Sequence, residues 1–534
     1  MKTYLKNAKI IRNDLSYANA LVIDNNKIVY VGDEHNAQHF IDNQTHIIDC
    51  KNNLVLPGFN DSHLHLLKTA QFKHTINLSH CTSKQQIIDV AKQYLNDHPN
   101  HQDLLIGYGW NQNHFKEDQS MIDYHLLDQI STTFPIVFYR ACNHAAAINS
   151  FALNLLDLKT KTLDPKTIGR DQDGNYNGLL FEEAIKLVDY LKKPITLSQA
   201  KKLIQEISHD ANKLGITSVS TNDIRIGEED AETIHQAYLE VAQENPTLRV
   251  YHQVCFDSVS SFTKSIEEGF FNNHHEFNRF GSLKLFSDGS LGARTAYLSQ
   301  AYNDDPTTNG VAIYSQKELD EFIQHANTLK VQVVVHAIGD QALEMVLTSY
   351  RKYNDQNNSL RHGIIHVQIA KENQLNEMAK YNLLAYVQPI FLHADLHIVN
   401  QRVSKELAQY SYAFKTMDDK GIYNCYSSDA PIEEMNVFNN IHCAVNRQDL
   451  ELFPANGFQE HEKVSVNQAI KHATIDGAYS CFNENRIGLL EPGYLADLII
   501  VDQDLYTIDP SKIKNTIVLC TIVNGKIVYK NNDF

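Results

Sequence analysis

Leu54-Val55-Leu56-Pro57-Gly58-Phe59 is an apolar run that passes directly into Asn60-Asp61-Ser62-His63-Leu64-His65. Such a run reads as a buried strand. Two imidazoles one residue apart then point to the same side of it, because side chains alternate with period two. At the end of a buried strand they can grip one metal ion together, neutral imidazole being the commonest protein ligand for zinc and similar ions. In a chain with 26 histidines, one His-x-His also arises by chance. Its meaning rests on what stands downstream.

Downstream the chain alternates. Strand-like runs rich in β-branched and aromatic residues continue from Leu54–His65 to Ile216–Thr221, Arg249–Phe256, Leu283–Ser287, Gln332–His336, Gly363–His366, Leu383–Val387 and Tyr423–Ser428. Helix-like stretches lie between many of them: Ser198–Leu214, Ala231–Glu244, Lys317–Leu329, Gln341–Tyr353 and Lys371–Tyr381. Strand–helix alternation on this scale predicts a parallel sheet. The number of units matches a closed (β/α)8 TIM-like barrel, with an open doubly wound sheet as the alternative. Two further strand-like runs, Leu104–Trp110 and Pro135–Cys142, fall between the first and second units. They belong to an insertion at about 67–195 on the catalytic mouth.

Both ends read as short strands. Ala20–Asp24, Asn25-Asn26 and Lys27–Gly32 form a hairpin signature, and Asp497–Asp502 and Thr521–Tyr529 repeat the idea at the other end. Neither end has strands enough for a sheet of its own. The expected organisation is a composite β-sandwich domain from 1–56 plus 480–534, around a barrel spanning 57–479.

Composition narrows the function classes. The hydrophobic share of 43% and charged share of 21% are those of an ordinary globular protein. Asp+Glu 64 against Lys+Arg 47 leaves a net charge of −17, which disfavours nucleic-acid and anionic-membrane partners. Eight scattered cysteines without a Cys-x-x-Cys pair argue against a disulfide framework and a cysteine zinc knuckle. Met1–Lys9 lacks the apolar core of a signal peptide, and no apolar run approaches membrane-spanning length. The expectation is a cytoplasmic protein acting on a small molecule, with a homodimer as the candidate assembly.

In a barrel, active-site groups sit at the C-terminal ends of the strands. Unusual polar residues fall there. The first unit ends in His63 and His65, the fourth carries Lys284 inside an apolar strand, the fifth and sixth end in His336 and His366, and the eighth ends in Asp429 before Ala430-Pro431. Each alone has a bland reading: a hydrogen-bonded core histidine, a lysine reaching solvent, an aspartate starting a turn. Together they are hard to obtain by accident.

This order, His-x-His, Lys, His, His, Asp, resembles that of the amidohydrolase superfamily. Gly58–His65, Lys284-Leu285-Phe286-Ser287-Asp288-Gly289-Ser290-Leu291-Gly292, His336-Ala337-Ile338-Gly339-Asp340, Ser428-Asp429-Ala430-Pro431 and the tail Gly488–Leu498 are similar to its N-substituted formamide deformylase-like branch. One departure is Ile365, which stands before His366 where relatives commonly carry Glu. The resemblance implies a metal-bearing (β/α) barrel with a split β-sandwich. It implies that His63, His65 and Asp429 hold one divalent ion, that His336 and His366 hold a second, and that Lys284 bridges them as a carbamate formed from carbon dioxide. Burial lowers a lysine pKa and exposes the nucleophilic amine, which is consistent with that step. Zinc is the expected metal, one or two ions per subunit, with iron and manganese as alternatives.

The implied chemistry is hydrolysis of a non-peptide C–N bond, amide or formamide in type, by a metal-activated hydroxide, with Asp429 moving the proton. The alternatives are a deaminase or cyclic-amide hydrolase on the same scaffold, or a metal-free scaffold or binding relative, against which the full ligand set argues. Substrate contacts are expected from the insertion through Trp110 in Gly109-Trp110-Asn111, Arg140 and His144 in Tyr139–His144, and Glu182 in Gly178–Glu182. From the barrel, Asp288, Arg294 and Gln388 are the pocket candidates.

Overall fold

A computed structural model describes residues 2–12, 16–99, 101–141, 144–156, 158, 165–272, 274–532 and 534. Eight parallel strands run in chain order: β1 (Phe59–Leu64), β2 (Ile216–Thr221), β3 (Arg249–Phe256), β4 (Asn278–Phe286), β5 (Gln332–Ala337), β6 (Gly363–His366), β7 (Leu384–Val387) and β8 (Asn424–Tyr426). Each is hydrogen-bonded to the next in sequence. The seam between β8 and β1 is closed just past β8, where Asp429 N donates to His63 O (2.9 Å) and His65 N to Ala430 O (2.8 Å). The expected (β/α)8 barrel is the fold.

Helices pack between the strands for reasons visible in their sequences. Leu197–Lys213 starts with a capping box in which Thr196 and Gln199 bond each other's backbone amides, and Ser315 and Glu318 do the same for Gln316–Thr328. Their buried residues, Ala200, Ile204, Ile207 and Ala211 on the first and Leu319, Phe322, Ile323 and Ala326 on the second, recur at helical spacing and form one apolar stripe.

The expected single strand Leu54–His65 is two strands in two sheets. Leu54–Pro57 pairs antiparallel with Leu498–Val501, and the chain then crosses into β1 at Gly58. A Cβ at Gly58 would lie 2.3 Å from the Thr217 side chain, so only glycine allows this close passage. Around this entry, a six-stranded sheet orders Lys526–Lys530, Val518–Val523, Leu498–Val501, Leu54–Pro57, Lys9–Ile11 and Tyr17–Ala18. A four-stranded sheet orders Lys27–Gly32, Ala20–Asp24, Lys2–Lys6 and His46–Asp49. Leu5, Leu21 and Ile23 from one sheet share a core with Val55, Leu498, Ile500 and Ile522 from the other, a sandwich built from both chain ends.

The chain divides into two compact units, residues 1–69 with 196–534 and residues 70–195. The second has its own six-stranded mixed sheet, ordered Ile168–Arg170, Tyr176–Phe181, Ala145–Ile148, Ile136–Arg140, Leu105–Trp110 and Ile76–Asn77. Trp110 is fully buried there among Leu78, Phe115, Phe138 and helix residues Ile87 and Ile88. The seven described cysteines are free and buried. Among the described residues no helix is long and apolar enough to cross a membrane.

Within the first unit a buried ion pair ties barrel to sandwich. Arg249, opening β3, donates through Nε and Nη2 to the Asp497 carboxylate (2.6 and 3.2 Å), which also accepts from Asn524 N. Arg249→Leu strands that carboxylate in the interior and is expected to cost about 3–5 kcal/mol. Chemical unfolding followed by circular dichroism reads this as a lowered midpoint; an unchanged midpoint would remove the pair from the account. His362 supplies a pH dependence. Its Nδ1 accepts from Val333 N (2.9 Å), its Nε2 faces Asn327 Oδ1, and burial pulls its pKa down to about 4. Its folded pKa lies below the unfolded value near 6.5, so its contribution is intact above pH 6.5 and shrinks as pH falls through about 4, by about 3 kcal/mol in all. His362→Gln keeps an acceptor for Val333 N without a titrating ring, so its melting temperature should fall less over that interval than the parent's.

Candidate metal centre

β1 presents Asp61 and His63 at alternate positions, hence on one side, and His65 follows directly at its end. The His63 and His65 Nε2 atoms lie 3.4 and 3.5 Å from one oxygen, Oδ1 of Asp429. All three side chains offer a donor atom within 4.8 Å of the others. The His366 ring stands 6.2 Å from that of His63, centroid to centroid, and its Nε2 is 2.9 Å from His336 Nδ1. Lys284, on β4, is 1% exposed, and its amine has no hydrogen-bond partner among the described residues. The expected ligand residues therefore gather at one mouth of the barrel.

The far side of each imidazole identifies the nitrogen left over. His63 Nδ1 faces Gln253 Oε1 at 2.5 Å, His65 Nδ1 faces the Asn222 carbonyl at 2.8 Å, and His366 Nδ1 faces Gln388 Oε1 at 2.8 Å. An oxygen there calls for a proton on Nδ1, so Nε2 keeps its lone pair. His336 is reversed: its Nε2 faces Gly289 O (3.1 Å) and Asp288 Oδ1 (3.3 Å), leaving Nδ1 free. His336 Nδ1 and His366 Nε2 thus point lone pairs at each other across 2.9 Å with no proton to share. A cation removes that repulsion. Two nitrogens each about 2.0–2.1 Å from one zinc-like ion lie about 3 Å apart, so the donor set fits a divalent metal. The orphaned Lys284 amine fits its conversion to a carbamate, whose oxygens would add anionic ligands.

The electrostatics agree. Burial, reinforced by the Lys284 charge, pulls His63 down to about 4, and burial with the His336 charge holds His366 well below the usual histidine range. Both rings stay neutral and able to ligate. Burial also pulls the Lys284 amine down to about 8, against the pull of the Asp429 carboxylate. Burial alone would raise Asp429, but the His63 and His65 imidazoles facing its carboxylate hold it well below the carboxylate range. His366 (φ 80°) and Asp429 (φ 56°) both adopt the left-handed region, a cost of about 1–3 kcal/mol each that clusters at functional sites.

The remaining candidates are placed as follows. Gln388 holds His366. The Asp288 carboxylate is buried and accepts from Ile338 N, Gly339 N and Tyr297 N, clamping the exit of β5. Arg294 pairs with Asp304 through two nitrogens. In the other unit, Trp110 Nε1 donates to Phe138 O, Arg140 donates to Gln112 and Asn111, and exposed His144 pairs with Glu182 at 3.0 Å. Cys142 and Asn143 lie outside the described residues. Ile365 is buried in an apolar cluster with Val334, Leu384 and Tyr386.

The sequence reading missed four supports. Gln253 and Asn222 orient His63 and His65. Asp61 accepts from Ser428 N (3.1 Å) and Oγ (2.6 Å), locking β8 to β1. The signals were there: a glutamine within a fully buried strand, and an aspartate on the histidines' face of β1.

A family model described as "Amidohydrolase family" matches residues 46–529. The amidohydrolase candidate YtcJ of Bacillus subtilis (strain 168) is 32% identical over 492 residues, 92% of this chain and 91% of that protein. The N-substituted formamide deformylase of Arthrobacter pascens is 24% identical over 532 residues, 96% of this chain and 95% of that protein. The crystal structure of an uncharacterized metal-dependent hydrolase from Pyrococcus horikoshii OT3 superposes with a TM-score of 0.80 at 26% identity, covering 96% of this chain and 99% of that one.

If Gln253 sets the His63 tautomer, Gln253→Leu should weaken retention of a divalent ion about 10–100-fold. Competition with a coloured chelator reads this directly, with circular dichroism as the control for folding. Parental retention in a folded variant would contradict the role.

Proposed function

The chain belongs to the amidohydrolase family, and from that premise we propose that it is a metal-dependent hydrolase of a small molecule, cleaving an amide- or formamide-type C–N bond outside peptides. One observation carries the proposal: imidazole nitrogens converge with a carboxylate in a buried mouth, His63 and His65 on Asp429 and His336 on His366. His63, His65 and Asp429 would hold one ion, and His336, His366 and a carbamate on Lys284 would complete a second position, with zinc as the favoured metal. Bound there, a divalent ion supplies Lewis acidity that acidifies water and polarises a carbonyl oxygen.

The chain's own groups supply the rest. Asp429, held anionic, is poised to take the proton of the attacking water and hand it to the departing nitrogen. Its carboxylate can do so while ligating, since one oxygen faces both histidines. Phe391 stacks on His366 at 5.8 Å, and Phe286 lies 5.5 Å from the His336 ring; both keep the mouth apolar and strengthen charge interactions inside it. The amide-type bond is favoured by the likeness to the formamide deformylase over nearly the whole chain. Seven described cysteines kept as buried thiols support a cytoplasmic, reducing setting.

Metal-loaded protein should release amine from at least one member of a panel of N-formyl and N-acyl amines, and a chelator should abolish that release. Asp429→Asn, whose new residue also tolerates the left-handed backbone, should keep the fold and lose turnover by at least about a hundredfold. Near-parental turnover would take Asp429 out of the reaction. Ammonia released from a ring amine, with the panel silent, would move the assignment to a deaminase. Lys284 is tested separately: carbon-13 bicarbonate should give a protein-bound carbamate signal in NMR that Lys284→Met lacks.

A further inference from the structure

The geometry points to Arg225 as the residue that binds an anionic group on the substrate, which makes the substrate an N-acyl or N-formyl amine whose substituent carries a carboxylate. This rests on the hydrolase reading above and names the substrate class for that site. Lys284 and Phe286 are two residues apart on β4 and share a face, so the Phe286 ring sits above the buried amine on the inner side of the mouth. The Lys284 amine is 4.5 Å from that ring's centroid and the His336 ring 5.5 Å. The Arg225 guanidinium lies over the same ring at 5.7 Å. The same aromatic ring therefore neighbours two metal-centre residues and a guanidinium.

Arg225 is held in place by backbone. Residues Arg225–Ile226 form a short parallel strand against the end of β3, with Arg225 opposite Cys255, and Cys255 N donates to Ile224 O at 3.0 Å. Three residues earlier, Asn222 gives its carbonyl to His65. The loop after β2 thus fixes a ligand and the guanidinium together. Among the described residues, the one ion pair of this guanidinium is Nε to Glu228, at 3.2 Å between side chains 49% and 67% exposed. Such a pair contributes little and leaves the two Nη groups for a bidentate anion. Two other arginines differ: Arg294 and Arg402 are both engaged by Asp304. Beyond β4, Ile313 donates its amide to Ser287 O and leaves its side chain half exposed, an apolar surface for the rest of the substituent.

The test pairs N-formylphenylalanine with N-formylphenethylamine, which lacks only the carboxylate, on metal-loaded protein. The acid should be preferred in kcat/KM, and Arg225→Met should lower the acid-to-neutral ratio about 10- to 100-fold, with Arg225→Lys recovering part of it. Calorimetric binding of the same pair to metal-loaded Asp429→Asn, with and without Arg225→Met, reads the preference without turnover. Hydrolysis of the neutral compound alone, or a ratio indifferent to Arg225→Met, overturns this inference while leaving the hydrolase reading standing. No turnover of either, with an Arg225-dependent preference in binding, upholds the subsite and counts against the bond proposed. Equal binding of acid and neutral compounds to both proteins overturns the subsite outright.

Discussion

The amide of Asp429 donates to the carbonyl of His63, and the amide of His65 donates to the carbonyl of Ala430. These two bonds close the seam between the last barrel strand and the first, and they also set where three donor side chains stand. The Asp61 carboxylate fixes the same junction, accepting from the amide and hydroxyl of Ser428. Because side chains alternate along a strand, a slip of one residue here would turn Asp429 away from His63 and His65. Closure of the barrel and assembly of the site are one event.

Burial then determines what the assembled groups can do. An imidazole in the interior loses its proton readily, so His63 and His366 are neutral and able to ligate. The same desolvation brings the Lys284 amine toward its nucleophilic form. Asp429 escapes the rise that burial would impose, because two imidazoles face its carboxylate. Acceptors on the far side of each ring, Gln253, Asn222, Gln388 and Gly289, leave the lone pairs facing inward. The left-handed backbone at His366 and Asp429 adds local strain that the packed strands around them must hold.

Much of the fold was legible because it depends on local pattern. Each strand-like run from Ile216–Thr221 to Tyr423–Ser428 falls on a barrel strand, though Leu283–Ser287 covers only the last four residues of Asn278–Phe286, and Ala231–Glu244 is a helix as read. Leu54–His65 misled because a continuous apolar run does not show that Gly58 passes the chain from one sheet to another. The candidate ligand residues could be picked out because a lysine or histidine at the end of an apolar strand is conspicuous. Their supports were less visible: the bonds of Gln253 and Asp61 depend on which strands are neighbours and in what register. Trp110 shows the converse. Its rarity drew attention, yet its ring lies in the core of residues 70–195. Arg225 reads as an ordinary loop charge until Phe286 is placed beside it.

The central claim is that His63, His65 and Asp429, with His336 and His366 beside them, form a binding site for divalent metal. Anomalous diffraction at the metal edge, from crystals of protein purified with its native metal, tests it most directly. The account predicts a strong peak within bonding distance of His63 Nε2, His65 Nε2 and a carboxylate oxygen of Asp429, about 2.0–2.2 Å for zinc. A map with metal peaks only elsewhere on the molecule, or with none at this mouth, would contradict it.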